Sequence, residues 1–198
     1  MIRAKDNPFR VSKIEALGYI PQTMPLEQIQ QRLKQLNNTA EIVGPHGSGK
    51  TTLLRELEKH IGRGGVETQK LFMNLDTPLR WRMVRECIDS MNPGSILFFD
   101  GACHLSSLRF WQLRQKARKN NVGLVITSHE EGLLDTLAVC RPSVNLLTDI
   151  TGRLLGEAAV PDPDDLSELY DMHSGNIREC LRDLYDHCEL SANAADQR

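Results

Sequence analysis

The chain has 198 residues, of which 40% are hydrophobic and 25% are charged, with a formal net charge of −2. This composition is ordinary for one globular α/β domain with a small appendage, and the near-neutral charge gives no overall attraction to nucleic acid or anionic lipid. No apolar run approaches the ~20 residues of a membrane span, no signal peptide is recognisable, and the cysteines form no C-x-x-C pair. We therefore expect a cytoplasmic protein with reduced thiols.

The first half of the chain alternates short apolar runs with amphipathic segments, a pattern typical of strand–helix–strand units and a parallel sheet. A strand is predicted at 40–43 and a helix at 50–60. A second strand, at 70–75, is closed by Asp76. Thr77 and Pro78 then suit the start of a helix that runs toward Ser90. The apolar run 96–99 predicts a central strand covered on both faces, and Asp100 closes it.

The second half predicts a helix capped near Ser106 or Ser107, a strand at 122–128, a short helix at 131–139 and a fifth strand at 144–150. Asp162 suits a helix N-cap and Pro163 the first helical position, and the rest of the chain up to about residue 190 predicts two helices. The predicted organisation is a lead-in segment at 1–38, a core domain at 39–157, a small helical lid at 158–190 and a tail at 191–198.

The segment 44–51 matches the pattern G-x-x-x-x-G-K-[ST]. Glycines let backbone N–H groups approach phosphates closely, and the helix that follows adds the positive end of its dipole. Lys50 is expected to neutralise the β and γ phosphates, and the Thr51 hydroxyl to ligate Mg²⁺. The residues predicted to bind the nucleotide through this loop are Gly44, Pro45, His46, Gly47, Ser48, Gly49, Lys50, Thr51 and Thr52.

The acid at the end of the run 96–99 is the second predicted site residue. Asp100 is expected to hold the Mg²⁺ shell opposite the loop. Many ATPases of this arrangement have a glutamate next, which polarises the attacking water, but this chain has Gly101. Hydrolysis by that route is therefore in doubt, and His104, His129 and Glu130 are the alternative water-orienting residues.

The segments GPHGSGKT, SILFFD, VITSH and HSGNIREC together resemble P-loop NTPases of the AAA+ or STAND-like kind. The resemblance implies a three-layer α/β/α fold with a mostly parallel sheet, a late strand inserted between the two Walker strands, and a small C-terminal helical subdomain. It implies a γ-phosphate sensor at Thr127 or Ser128 and a second sensor at Arg178. The alternative interpretation of Arg178 is a surface residue of the last helix that does not contact the nucleotide. Arg141 stands where an arginine finger often lies in that family, and His129 resembles the switch histidine of ABC ATPases.

The predicted function is an ATP-binding switch, with Mg²⁺ as the second cofactor and slow or partner-stimulated hydrolysis. A protein partner is favoured, with nucleic acid as the alternative and an oligomer as a further option once nucleotide is bound. A basic helix follows Asp100, and Leu105, Leu108 and Trp111 are expected on its inner side. A small-molecule kinase, with Asp76 as the acid that binds the acceptor, and a scaffold that binds ATP without turnover remain alternative functions.

Overall fold

The computed structural model describes residues 7–21, 24–74, 80–156 and 160–195. Its contacts divide the chain into two compact units. The sheet unit comprises Thr23–Gly44 and Lys50–Cys140, and the helical unit comprises Met1–Gln22, Pro45–Gly49 and Arg141–Arg198. Asp76, Thr77 and Pro78, which the sequence singles out, lie outside the described residues. None of the described helices combines the length and the apolar character that crossing a membrane requires.

The sheet has five parallel strands in the order β2-β3-β4-β1-β5. The strands are β1 (Thr39–Val43), β2 (Thr68–Phe72), β3 (Ile96–Asp100), β4 (Gly123–Ser128) and β5 (Thr136–Val139). The late strand β4 therefore lies between β1 and β3, as predicted. Because all five strands run the same way, their carboxyl ends, and the polar residues that close them, meet at one edge of the sheet.

Helices cover both faces of this sheet, which confirms the predicted three-layer α/β/α fold. The described helices are α1 (Val11–Leu17), α2 (Leu26–Gln35), α3 (Lys50–Arg63), α4 (Trp81–Asp89), α5 (Ser107–Lys119), α6 (Val144–Leu155), α7 (Pro163–Met172) and α8 (Ile177–Ala195). Helix α3 packs on the strands together with α2, while α4 and α5 pack on each other and α5 on β4. All five residues of β3 are buried, because consecutive side chains point to opposite, equally covered faces.

The helical unit has an apolar core of its own. Phe9, from the chain's N-terminal part, packs with Leu147 of α6, Leu166 of α7 and Ile177 of α8. The fully buried Asn7 fastens this segment, because its Nδ2 donates to the carbonyl of Tyr185 at 3.0 Å. Predicted helix starts are observed here: Asp162 caps α7, accepting from the amide of Asp164, with Pro163 at the first helical position.

The predicted fifth strand at 144–150 is wrong, because that segment is helix α6. Ser143 caps it by accepting a hydrogen bond from the amide of Leu146 at 3.2 Å. The residues it buries, Leu147 and Thr151, are four positions apart, which is the spacing of a helix. The fifth strand is β5 instead, so the helix predicted at 131–139 is wrong as well. Thr136, Ala138 and Val139 of this strand pair with β1, with one shift in register at Leu137.

The buried side of α5 also differs from the prediction. Ser106 caps this helix as expected, accepting from the amide of Arg109. The buried residues are Phe110, Leu113 and Ala117. Leu108 and Trp111 are more than half exposed, at 63% and 57%, so the expectation that they face inward is wrong.

Candidate functional site

The carboxyl edge of the sheet holds a hydrogen-bonded acid at the end of β3. Asp100 is buried, and its Oδ1 accepts a hydrogen bond of 2.7 Å from the hydroxyl of Thr127 at the end of the neighbouring strand β4. The same hydroxyl accepts from the amide of Gly101 at 2.9 Å. The other oxygen, Oδ2, is buried and has no hydrogen-bond partner among the described residues. A buried carboxylate oxygen without a partner is costly, and a cation or its water shell would satisfy it.

A second buried carboxylate, which the sequence does not mark by any motif, lies on β1, two strands away from β3 in the sheet. Glu41 of β1 is fully buried, and Oε2 accepts from the hydroxyl of Ser128 at 3.1 Å. Its Oε1 accepts from the amide of Gly132 at 2.8 Å. Glu41 thus connects β1 to β4 and to the loop that leads into β5. The only signal in the sequence was an acid inside an otherwise apolar run.

Replacing Glu41 by alanine should lower the free energy of unfolding by about 1–3 kcal/mol, because the buried hydroxyl of Ser128 and the amide of Gly132 lose their acceptors. Glu41→Gln keeps the shape and one acceptor oxygen, so it should lose less than half of that amount. Urea unfolding of the two variants measures the difference. Equal stability of Glu41→Ala and the wild type would show that the carboxylate does not hold the loop.

Lys50 begins α3 and directs its ammonium group back to the start of the loop. Its Nζ donates to the carbonyl of Gly44 at 2.6 Å and lies 3.5 Å from Nδ1 of His129, which follows β4. The amide of Gly44 in turn donates to the carbonyl of Ser128 at 3.2 Å. The loop's entry and its lysine are therefore tied to the end of β4. The other predicted α3 residues, Thr51 and Thr52, occupy the same first turn of the helix and are half-buried.

Gly101 has a backbone conformation that explains why no larger residue stands there. Its φ is +84°, and a Cβ at this position would overlap the carbonyl oxygen of Met73. Met73 cannot easily retreat, since its amide donates to the carbonyl of Asp100 at 2.9 Å. The residue after the strand-end acid is therefore a glycine for a steric reason, and a glutamate would not fit this backbone.

The turn after Gly101 brings a thiol near both charged site residues. Burial raises the pKa of the Cys103 thiol; hydrogen bonds from the local backbone and the Lys50 ammonium oppose that effect, and the Asp100 carboxylate adds to it. The residues predicted as alternative water-orienting groups are partly assembled here. The rings of His104 and His129 lie edge to face with their centroids 6.2 Å apart.

The middle of the phosphate loop belongs to the helical unit, where it touches the start of α8. Gly47 has a φ of +69°, and a Cβ there would overlap Oδ1 of Asn176 and lie 3.3 Å from the amide nitrogen of Arg178. Asn176 also accepts a hydrogen bond from the amide of Glu179, so it caps α8. Ser48 is buried in this loop, and its hydroxyl has no partner in the part of the chain that the structure describes.

The predicted site residues thus fall into two groups. In the sheet unit the structure brings together Lys50, Gly44, Asp100 and Thr127 at the carboxyl ends of β1, β3 and β4, while Ser128 bonds to Glu41 instead. In the helical unit it brings Gly47 against Asn176 and the amide of Arg178 at the start of α8, and Pro45, His46 and Gly49 belong to the same unit. Arg178 is the second residue of that helix and is exposed, and Arg141, which is also exposed, follows β5.

No family model matches the chain, and no curated protein matches its sequence. Solved structures do match. A RuvB variant of Thermotoga maritima is 17% identical, with 82% of this chain and 60% of that chain covered and a TM-score of 0.58. ORC2 of Aeropyrum pernix, in ADPNP–ADP complexes, is 12% identical over 94% of this chain and 68% of that chain, with a TM-score of 0.58. The replication initiator DnaA bound to AMPPCP and single-stranded DNA is 14% identical over 89% and 64%, also with a TM-score of 0.58.

The strand order, the loop after β1 and these neighbours define the class of fold: the chain has the P-loop NTPase fold. Within that class it has the fold of the AAA+ ATPases, to which RuvB, ORC2 and DnaA belong. The identities of 12–17% establish the fold alone. The chain spans 60% of the length of the matched RuvB structure.

Proposed function

We propose that the chain binds ATP with Mg²⁺ on residues 44–51 and acts as a nucleotide-dependent switch with slow or partner-stimulated hydrolysis. The buried, unpartnered Oδ2 of Asp100 is the observation that carries this proposal, because a strand-end carboxylate in this position fits a hard cation with oxygen ligands. The Thr51 hydroxyl would be the second protein ligand. Mg²⁺ would supply charge neutralisation for the β and γ phosphates, and Lys50 would add its own positive charge.

The ligands of two structural neighbours support a nucleotide as the ligand. ORC2 was solved in ADPNP–ADP complexes and DnaA with AMPPCP. The loop conformation supports it too, since two of its glycines, Gly47 and Gly49, adopt positive φ values of +69° and +89°. Alternating backbone conformations of this kind turn successive N–H groups toward an anion.

Slow turnover follows from Gly101, which provides no side chain to orient water. We expect steady-state phosphate release on the order of 10⁻² s⁻¹ or slower with MgATP, the rate range of P-loop NTPases that act without a complete catalytic set. Calorimetric titration of MgATP measures binding independently of turnover. Binding without any phosphate release would favour the alternative of a non-hydrolysing scaffold, which the same glycine supports. Absence of MgATP binding would contradict the proposal.

Transfer of phosphate to an acceptor, rather than to water, would instead identify a small-molecule kinase. Its proposed acceptor-binding acid, Asp76, lies outside the described residues. The assay therefore needs two readouts on the same sample, free phosphate and labelled acceptor.

Arg178→Ala should weaken ATP binding by about 5- to 30-fold and ADP binding by less than about 3-fold, because we propose that its guanidinium contacts the γ phosphate. The placement of the Arg178 amide beside Gly47 supports this role. Arg182→Ala is the matched control: it removes the same charge one turn later on α8, from a side chain that is 76% exposed. An equal loss for ATP and ADP would count against γ-phosphate sensing.

The proposed partner is a protein, with nucleic acid as the alternative. DnaA was solved with single-stranded DNA, and the exposed Trp111 of α5 lies beside basic residues of the same helix. Binding of single-stranded DNA that falls steeply with salt would favour nucleic acid. Oligomerisation with ATP, with Arg141 contacting a neighbouring copy's nucleotide, and a cytoplasmic location remain predictions.

A further inference from the structure

A cluster of metal-ligating side chains lies at the carboxyl edge of the sheet, apart from the oxygen ligands assigned to Mg²⁺. Cys103 and His104 stand in the short 3₁₀ turn after β3, and His129 follows β4. One ligand atom from each lies within 4.8 Å of the others. Cys103 and His129 are half-buried and His104 is exposed, so an ion can reach all three. The Cys103 thiol is free of any disulfide.

The backbone holds both segments of this cluster in place. The 3₁₀ turn is closed by hydrogen bonds from the amides of His104 and Leu105 to the carbonyls of Gly101 and Ala102, at 3.0 and 3.1 Å. On the other side, β4 is paired with β1 up to Ser128, the residue before His129. Ligand atoms of a tetrahedral zinc site with bonds of ~2.0–2.3 Å lie roughly 3.4–3.6 Å apart. Side-chain shifts of about 1 Å would therefore complete the site without a change in the backbone.

The donor set selects among metals. A thiolate and two imidazoles suit Zn²⁺ and related transition metals, whereas Mg²⁺ and Ca²⁺ require oxygen ligands. Three protein ligands leave a fourth tetrahedral position for water or another small ligand, as in zinc sites that are not purely structural.

We propose that Cys103, His104 and His129 form a binding site for one Zn²⁺-class transition-metal ion, with three protein ligands and an open fourth position. The site requires no nucleotide and is separate from the Mg²⁺ role of Asp100 and Thr51. His129 is its point of contact with the phosphate loop, because its Nδ1 lies 3.5 Å from Nζ of Lys50.

The test is a titration of untagged, reduced, nucleotide-free protein with Co²⁺, which reports thiolate ligation by a charge-transfer absorption band. We expect the band to saturate at one equivalent, to disappear on addition of Zn²⁺ and to persist in excess Mg²⁺. Cys103→Ser should abolish the band. His104→Ala and His129→Ala should each weaken Co²⁺ binding by at least about 10-fold, because even the loss of a residue that only hydrogen-bonds to a metal ligand typically lowers metal affinity by that factor.

Two matched controls come from the same unit. Cys87→Ser removes another half-buried thiol, and His60→Ala removes a histidine that is hydrogen-bonded to Gln30 at 3.1 Å. Both should bind Co²⁺ like the wild type. Lys50→Ala should also retain the band, so that a failure of the nucleotide proposal can be told from a failure of this one. No band in the wild type, or a band unchanged by Cys103→Ser, would overturn the proposal.

A second measurement avoids folding defects in the variants. In the wild-type protein, Zn²⁺ should slow alkylation of Cys103 by iodoacetamide at least about 10-fold and leave that of Cys87 unchanged, which peptide mass spectrometry can resolve. Equal rates at Cys103 with and without Zn²⁺ would overturn the proposal independently of any substitution.

Discussion

Lys50→Ala should weaken MgATP binding by about 2–5 kcal/mol, at least about 30-fold, because it removes the cation that we propose neutralises the β and γ phosphates while their charge stays on the ligand. In the structure the ammonium group donates to the carbonyl of Gly44. Bound phosphate would take over that donor. Calorimetry of wild type and variant with MgATP measures the loss directly.

Lys59→Ala is the control for this experiment. Lys59 lies on the same helix α3, but its ammonium pairs with Glu56 at 2.8 Å and is half exposed, so its loss should leave MgATP affinity unchanged. Thermal unfolding offers a second readout, since a ligand at 100 times its Kd stabilises the folded state by ~2.7 kcal/mol. At the same MgATP concentration, wild type and Lys59→Ala should gain about that amount, whereas Lys50→Ala should gain less than about 1 kcal/mol because its affinity is at least about 30-fold lower. Retained affinity in Lys50→Ala would refute the assignment of the loop.

Gly101→Ala should lower the free energy of unfolding by roughly 2–5 kcal/mol, or the Tm by about 5–15 °C. A residue with a Cβ is strained by about 1–2 kcal/mol at a left-handed φ such as +84°. The overlap with the carbonyl of Met73 adds an overpacking cost of about 1–3 kcal/mol. Differential scanning calorimetry measures both quantities.

Gly65→Ala separates the two contributions. Gly65 has the same φ of +84°, but a Cβ there would meet no atom within 4 Å among the described residues. Its substitution should therefore cost only about 1–2 kcal/mol. If Gly101→Ala proved no worse than Gly65→Ala, the steric account of the missing glutamate would be wrong.

The buried parallel strands were predictable because strands covered on both faces appear as continuous apolar runs, and 96–99 is the clearest case. The run 144–150 showed the limit of that rule. Its apolar residues suit a strand or a helix equally well, and the hydrogen bond that Ser143 accepts from the amide of Leu146 decides for helix α6. In α5 the buried face differs from the predicted one because Phe110 and Leu113, and not Trp111, belong to the core cluster formed with residues of β3 and β4.

The residues of the candidate site also fall into those that the sequence predicts and those that it does not. Lys50 could be predicted because the spacing within the loop motif is fixed, and Asp100 because it closes a continuous apolar run. Glu41 could not, since its partners Ser128 and Gly132 are distant in sequence and meet it only through the pairing of β1 with β4. The cluster that His129 forms with the turn after β3 was missed for the same reason. The nucleotide roles of these residues, and the predicted domain boundaries, stay predictions.

The hydrogen bond between Thr127 and Asp100 limits what the Thr127 hydroxyl can donate to a ligand. A hydroxyl has a single proton, and Thr127 donates it to Asp100 while Ser128 donates its own to Glu41. Neither hydroxyl can donate to a phosphate without first releasing a carboxylate. If Mg²⁺ binds Oδ2 of Asp100, it withdraws electron density from Oδ1, which holds the Thr127 proton, and makes that release easier. By reciprocity, a phosphate that accepts the hydrogen bond of Thr127 in place of Asp100 would increase the affinity of Asp100 for the ion by the same free energy.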